Sequence, residues 1–251
     1  MLKLDLHIHS QYSEDAAGTP KDLIKFLKKK GINGMSITDH NTVKGSLEAL
    51  KICPKDFIVI PGSEISSIEG HVIGLNIKEK IAPKQSIEIT IEKIIDQGGI
   101  PIIPHVYRNM SGIKTRKLYS ISNSIKVIEV FNSCSQPKTN LKMARIARKN
   151  NLGGTGGSDT HEPKYAGFGY TVVKSNDLSL DSIISEINNK NTWGEGISLP
   201  FEYRRNRLIK SVKQFFQRGL KRIWKFFLLY YLNYYLHNYM QIKHIYSFIF
   251  S

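Results

Sequence analysis

Along LKLDLHIHS, residues 2–10, apolar and polar side chains alternate. Leu4, Leu6 and Ile8 fall on one side of an extended chain, and Asp5, His7 and His9 on the other. This period of two predicts a strand over residues 2–9, and only a strand brings both imidazoles to one face. Further apolar runs predict strands at 34–40, 57–66, 71–77, 99–105, 125–132 and 153–161. Helical patterns are read at 19–31, 85–97, 139–150 and 178–190. The first has Thr19 to cap it, Pro20 in its opening turn and Gly31 to stop it. Strands alternating with helices point to an α/β fold with a mainly parallel sheet covered on both faces. Polar residues gather mostly at the C-terminal ends of the apolar runs, the end at which a (β/α) barrel builds its site.

Composition changes this picture at one end only. Of 251 residues, 41% are hydrophobic and 23% charged, an ordinary balance for a chain that buries a core. Cys53 and Cys134 form no C-x-x-C pair, so neither a disulfide framework nor a thiolate zinc site is indicated, and a reducing compartment is expected. The first residues lack the regions of a signal peptide, and there is no uncharged apolar run of about 18 residues. A cytoplasmic protein is expected, with peripheral membrane association as a further reading. The net charge of +15 is uneven: residues 203–251 hold ten Lys or Arg, no Asp or Glu, and 14 of the 25 aromatic residues. The chain therefore divides near Leu199-Pro200, into a globular domain over 1–199 and a basic, aromatic-rich helical extension over 200–251. Within the extension Ile209, Val212, Phe216, Leu220, Ile223 and Phe227 recur at helical steps, opposite Lys213, Gln217, Lys221 and Lys225. Such a helix suits packing on the main domain, an anionic membrane surface or nucleic acid.

Six of the eight histidines, His7, His9, His40, His71, His105 and His161, lie in or beside strand-like runs. Their acidic companions are Asp5, Asp15, Asp39, Glu64, Glu129 and Asp159. Taken singly, Asp39 suits a helix cap, His71 a buried core position and Glu129 a lysine pair. Taken together, at three or four ligands per ion, the set suits two or three divalent cations. Mixed imidazole and carboxylate donors fit Zn, Mn or Fe.

In the order DLHIHS, SED, TDHN, GSEIS, GHVIGL, PHVYR, IEVFN and GGSDTH, residues 1–195 resemble the PHP (polymerase and histidinol phosphatase) superfamily. The resemblance implies a distorted (β/α)7, TIM-like barrel with a di- or trinuclear metal site that hydrolyses phosphoesters. Position by position, it implies His7, His9, Glu64 and Asp159 at a first metal. Glu64 then bridges to a second metal held by His71 and His105, and Asp15, His40 and His161 hold a third. Asp39 and Glu129 match positions that orient ligand histidines from behind, and Asp5 either does the same or finishes its strand. Two stretches depart from the common pattern. Ser13-Glu14-Asp15 stands where many relatives read S-D-G, leaving two candidate carboxylates, of which Asp15 is preferred. His105 is followed by Val106 where H-P is usual. Arg108 just beyond is a candidate phosphate clamp, with a solvated surface arginine as the alternative.

Two cations sharing Glu64 would bring the pKa of a bridging water towards neutrality and supply a hydroxide nucleophile. Arg108 would neutralise charge during in-line attack, and Asp159 or His161 would protonate the leaving oxygen. GGTGG, residues 153–157, lacks the Gly-Lys-Ser/Thr of a P-loop, so its glycines are read as permitting close backbone approach beside Asp159. The motifs are closely spaced, which predicts a compact, open pocket for a small phosphomonoester, a nucleotide or an oligonucleotide end. The opposing class is a non-catalytic metal-binding PHP module acting through a partner. A histidinol-phosphate-type phosphatase ranks below nucleotide or oligonucleotide hydrolysis, because nothing in the chain selects histidinol.

Overall fold

A computed structural model describes residues 1–108 and 111–203, with Arg205, Asn206, Ile209, Val212 and Phe216. In chain order the elements are β1 (Leu2–Ile8), α1 (Pro20–Lys29), β2 (Gly34–Ile37), α2 (Lys44–Lys51), β3 (Ile58–Val59), β4 (Gly62–Ser66), β5 (His71–Leu75) and α3 (Ile87–Asp96). There follow β6 (Ile100–Ile103), α4 (Thr115–Ile121), β7 (Val127–Asn132), α5 (Pro137–Lys149), β8 (Gly153–Gly157), β9 (Gly169–Val173), α6 (Leu180–Asn188) and β10 (Thr192–Gly196).

Local chemistry accounts for the helix starts that the sequence signals. The Thr19 hydroxyl accepts from the Asp22 N–H while the Asp22 carboxylate accepts from the Thr19 N–H, a reciprocal cap on α1. Ser86 and Ser179 cap α3 and α6 in the same one-sided way, each accepting from an N–H three residues on. The run 57–66 is not one strand. It breaks into β3 and β4, in different sheets, at Ile60-Pro61, where proline has no N–H to give to a ladder.

Two five-stranded sheets form, ordered β10-β9-β1-β2-β3 and β4-β5-β6-β7-β8. Both are mixed, where the sequence predicts a mainly parallel one. β1, β2 and β3 run parallel, as do β6, β7 and β8. β9 and β10 add antiparallel pairings at one edge, and β5 is antiparallel to both β4 and β6. The strands do not pair into one continuous barrel among the described residues. Single bridges, Ile8 with Thr160 and His40 with Glu64, join the sheets at the last residue of β1 and just past the end of β2.

Leu4, Leu6, Ile60, Ile73, Ile102 and Val127 form a buried cluster drawing on both sheets, closed by Ile183 and Ile187 of α6. α1 and α2 cover the first sheet through Leu23, Leu27 and Ala49, and α3, α4 and α5 cover the second through Ile91, Leu118 and Met143. Strand ends carrying polar groups are thereby held above a packed floor.

The chain divides into two compact units, 1–199 and 200–251. In the second, the described residues 201–203, 205, 206, 209, 212 and 216 are helical, and Ile209, Val212 and Phe216 of the expected apolar face are exposed. The rest of the amphipathic tail, with its membrane and nucleic-acid readings, lies outside the described residues. Among the described residues no helix is long and apolar enough to cross a membrane.

Candidate metal centre

Glu64, buried in β4, is the point on which the histidines converge. Its Oε1 lies 2.8 Å from His71 Nδ1 and 2.8 Å from His105 Nε2, and 3.6 Å from His7 Nε2. Its Oε2 lies 3.1 Å from His40 Nδ1 and 3.5 Å from His9 Nε2. His71 opens β5 rather than closing it. Because β5 is antiparallel to β4, with His71 opposite Ser66, its first residue arrives at the end where the other strands finish.

Asp159, just past β8, forms the opposite wall. Its Oδ1 is 3.7 Å from His7 Nε2, 3.4 Å from His9 Nε2 and 4.0 Å from His161 Nδ1. Its Oδ2 takes an ion pair from Arg108 Nη2 at 2.5 Å and a hydrogen bond from Asn132 Nδ2 at 3.1 Å. Asp15 reaches in from the loop after β1, with Oδ2 at 3.0 Å from His161 Nε2 and Oδ1 at 3.8 Å from His40 Nε2. All nine candidate ligands therefore meet in one place.

The supporting carboxylates fix ring orientation and proton position. Glu129 Oε1 receives His7 Nδ1 at 2.8 Å, and its Oε2 accepts from the His105 N–H and the Asn132 amide. Asp39 acts through a serine. It accepts from the Ser13 hydroxyl at 2.9 Å, and the same oxygen lies 3.3 Å from His9 Nδ1 and accepts from the His40 N–H. With Nδ1 of His7 and His9 committed as donors, each Nε2 presents a lone pair to the site. Asp5 touches no ring. Its carboxylate accepts from the Ser158 and Gly167 N–H groups and so pins the backbone beside Asp159; burial pushes its pKa up to about 6 against those hydrogen bonds.

Burial and charge pull these groups apart. Burial opposes ionisation of Glu64, but facing His71, His7 and His40 hold its carboxyl well below the usual range. Burial also opposes charge on His40, which Glu64 and Asp15 nevertheless raise to about 10. Burial, with His161 and His40 nearby, keeps His9 neutral. Burial, then Arg108, takes His105 down to about 4.

The donor set fits divalent cations. His7 Nε2, His9 Nε2, His40 Nδ1 and His105 Nδ1 are buried without a hydrogen bond, an arrangement that is costly for a polar atom without a partner. Donors about 2.1 Å from an ion at tetrahedral angles lie about 3.4 Å from one another, close to the 3.4–3.7 Å separating His7 and His9 Nε2 from the two carboxylates. Among the described residues, four trios have donor atoms within 4.8 Å: His7, His9 and Glu64; His7, His105 and Asp159; His40, Glu64 and His71; His9, His40 and His161. His105 and Asp159 also sit at φ of 28° and 50°, a backbone region that residues other than glycine seldom adopt outside turns and functional sites.

Sequence patterning missed Asn132. Buried at the end of β7, its amide donates to Glu129 and Asp159, and its carbonyl oxygen accepts from Arg108 at 3.2 Å and from the Cys134 N–H at 2.9 Å. Ser13 was quoted only as part of a motif. Neither carries a charge or a ligand-like spacing that would single it out.

Residues 5–219 match the PHP domain family. The chain belongs to that family. The match continues past Leu199, where the first compact unit ends. An uncharacterized protein of Methanocaldococcus jannaschii is 40% identical over 144 residues, 53% of this chain and 82% of its own. Among solved structures, a two-domain protein of Bacteroides vulgatus containing a predicted PHP-like metal-dependent phosphoesterase aligns with a TM-score of 0.68 at 19% identity, covering 83% of this chain and 69% of that one. Endonuclease Q, solved with a 27-mer duplex substrate carrying an abasic lesion, aligns with a TM-score of 0.59 at 18% identity, covering 78% and 60%. These likenesses establish the PHP fold.

Proposed function

We propose that the protein hydrolyses phosphoesters with two or three divalent cations held by His7, His9, Asp15, His40, Glu64, His71, His105, Asp159 and His161. The observation that carries this reading is the pair of buried Nε2 atoms of His7 and His9, which make no hydrogen bond and face two carboxylates. When bound, the cations supply an acidified water and polarise the phosphoryl group. The chain's own groups do the rest. Glu64 and Asp159 set the negative walls, Glu129 and Ser13 hold the rings, and the floor of buried aliphatic side chains excludes water from below. Arg108 braces Asp159 through Nη2 and keeps further guanidinium N–H groups for a phosphate. In the two-cation form, in which His161 is not a ligand, its Nε2, paired with Asp15, holds the proton for the leaving oxygen. Asp159 is less suited to that step, since its Oδ2 is already engaged by Arg108 and Asn132.

Residues 1–199 carry this chemistry, arranged as an open, barrel-like shell. A nucleotide or oligonucleotide end is the preferred substrate class, supported by the likeness to Endonuclease Q. The test is a panel of phosphomonoesters, phosphodiesters and short oligonucleotides offered to protein loaded with Mn, Zn or Fe. Turnover of any class supports the reading, and silence across the panel with all three metals overturns it.

Two further outcomes are expected. Glu129→Gln replaces one of two acceptor oxygens by a donor, although three donors converge on them. Metal affinity measured by calorimetry should fall about 10–100-fold; an unchanged affinity would remove Glu129 from the support of His7. Stripping metal with a chelator should lower the melting temperature, because ions bound only by the folded state stabilise it by about 2.7 kcal/mol at a hundred times their dissociation constant. Melting that ignores both chelator and added metal would count against the centre.

A further inference from the structure

α5 leaves β7 at the site end of the fold, shortly after Asn132. It holds Lys138, Lys142, Arg145, Arg148 and Lys149 and no acidic residue. Asn140, Met143, Ile146 and Ala147 turn inward. Lys138, Lys142, Arg145 and Lys149, at steps of four, three and four, are all exposed, and so line one face over about 16 Å at 1.5 Å per residue. A charged helix face is often merely solvated, but two features distinguish this one.

First, α5 concentrates five cations with no carboxylate among them, while some lysines elsewhere on the surface are matched. Lys28 pairs with Asp56, Lys117 with Glu69 and Glu88, and Lys164 with Glu162. Among the described residues none of the α5 cations is paired with a carboxylate. Second, the row is linked to the metal centre. Lys142 Nζ lies 3.8 Å from the centroid of the Tyr107 ring, whose hydroxyl is held by Thr115 at 3.3 Å. The next residue, Arg108, is the one that pairs with Asp159. Leu141, 62% exposed, adds an apolar surface beside Lys142.

We propose that the α5 row is a track for the sugar–phosphate backbone of a single-stranded nucleic acid leading to the metal centre by way of Tyr107 and Arg108. Evenly spaced unpaired cations complement a polyanion, and the exposed leucine suits a base. A single strand can turn from the helix face towards ligands that are mostly buried, whereas a duplex bends only at considerable cost. What happens to the strand in the centre rests on the phosphoesterase reading; its binding does not.

The test is binding of a fluorescein-labelled oligothymidylate and an oligouridylate to the full-length protein, followed by anisotropy across a salt series. Lys138→Gln, Arg145→Gln and Lys149→Gln are combined in one variant, with melting temperature as the control for folding. At about 0.7 per phosphate contact, the slope of log affinity against log salt should fall by about 2, and affinity at low salt at least tenfold. Affinity and slope matching the parent would place the phosphate contacts elsewhere, residues 203–251 included, and overturn the track. A duplex of equal length showing the same dependence on these three residues would overturn the single-strand assignment. Binding is read without turnover, so a protein that binds in this way but cleaves nothing would sink the phosphoesterase reading and leave the track standing.

Discussion

Asp159→Ala is expected to abolish phosphoester turnover, well beyond the roughly 100-fold that losing an outer partner of a metal ligand costs. The substitution takes away the carboxylate facing His7, His9 and His161 and leaves Arg108 without its anion. It should not unfold the protein. Backbone bonds on either side persist: Asp159 N–H to His7 O at 2.6 Å, His9 N–H to Thr160 O at 3.1 Å, and Ser158 N–H to Asp5 at 2.9 Å. Alanine at a left-handed φ costs about 1–2 kcal/mol, a tolerable loss for a domain with this much core. Turnover, metal content and melting temperature should be measured together on one preparation. Retained turnover with normal metal content would rule out the proposed centre; loss of turnover with an intact melting transition is the expected result.

Gly157→Ala should produce a large loss of stability. A Cβ there would lie 2.3 Å from His7 Cβ, 2.7 Å from His7 N and 2.9 Å from His7 Cα. Those are backbone and near-backbone atoms of β1, which cannot swing aside as a side-chain tip does. Overpacking typically costs about 1–3 kcal/mol, and the upper end or beyond is expected here. About 3 kcal/mol corresponds to a fall of roughly 6–12 °C in melting temperature for a chain of this size. Displaced His7 would also weaken metal binding. Gly153→Ala, at the far end of β8, meets the Val127 Cγ1 at 2.8 Å and Lys190 at 3.0 Å, so it should be the milder of the two. Equal melting temperatures for parent and Gly157→Ala would show that β1 and β8 are not so close.

Elements with self-contained signals were legible in the chain. α1, α3 and α6 have capping side chains at Thr19, Ser86 and Ser179, and they appear within two residues of their expected starts. α2 and α4 have Val43 and Lys114 at their N-cap positions, with no side-chain cap, and neither was anticipated. β9 and β10, at Gly169–Val173 and Thr192–Gly196, pair antiparallel with each other, and β9 also pairs with β1; both are short and interrupted or opened by glycine, which gives no long apolar run to read. The glycines of GGTGG were read as sites of close approach. Cβ positions on Gly154, Gly156 and Gly157 are indeed occupied by Trp193, by Tyr170 O and by His7.

By itself, then, the sequence determined which residue types stand at the strand ends, the caps that start three of the helices, and the ordered motifs that mark the PHP family. These are properties of residues close in the chain, or of residue identity alone. Tertiary structure decided which atoms meet. Glu64 contacts His105 across 41 positions, and His7 contacts Glu129 across 122. Both depend on two mixed sheets that are bridged at Ile8–Thr160 and His40–Glu64. It also decided the role of Asn132, an uncharged residue whose importance lies in four side-chain hydrogen bonds, two with the distant Arg108 and Asp159 and two with the neighbouring Glu129 and Cys134. Period and capping act over a few residues, whereas a shared carboxylate requires the whole shell to close, and no local pattern records that closure.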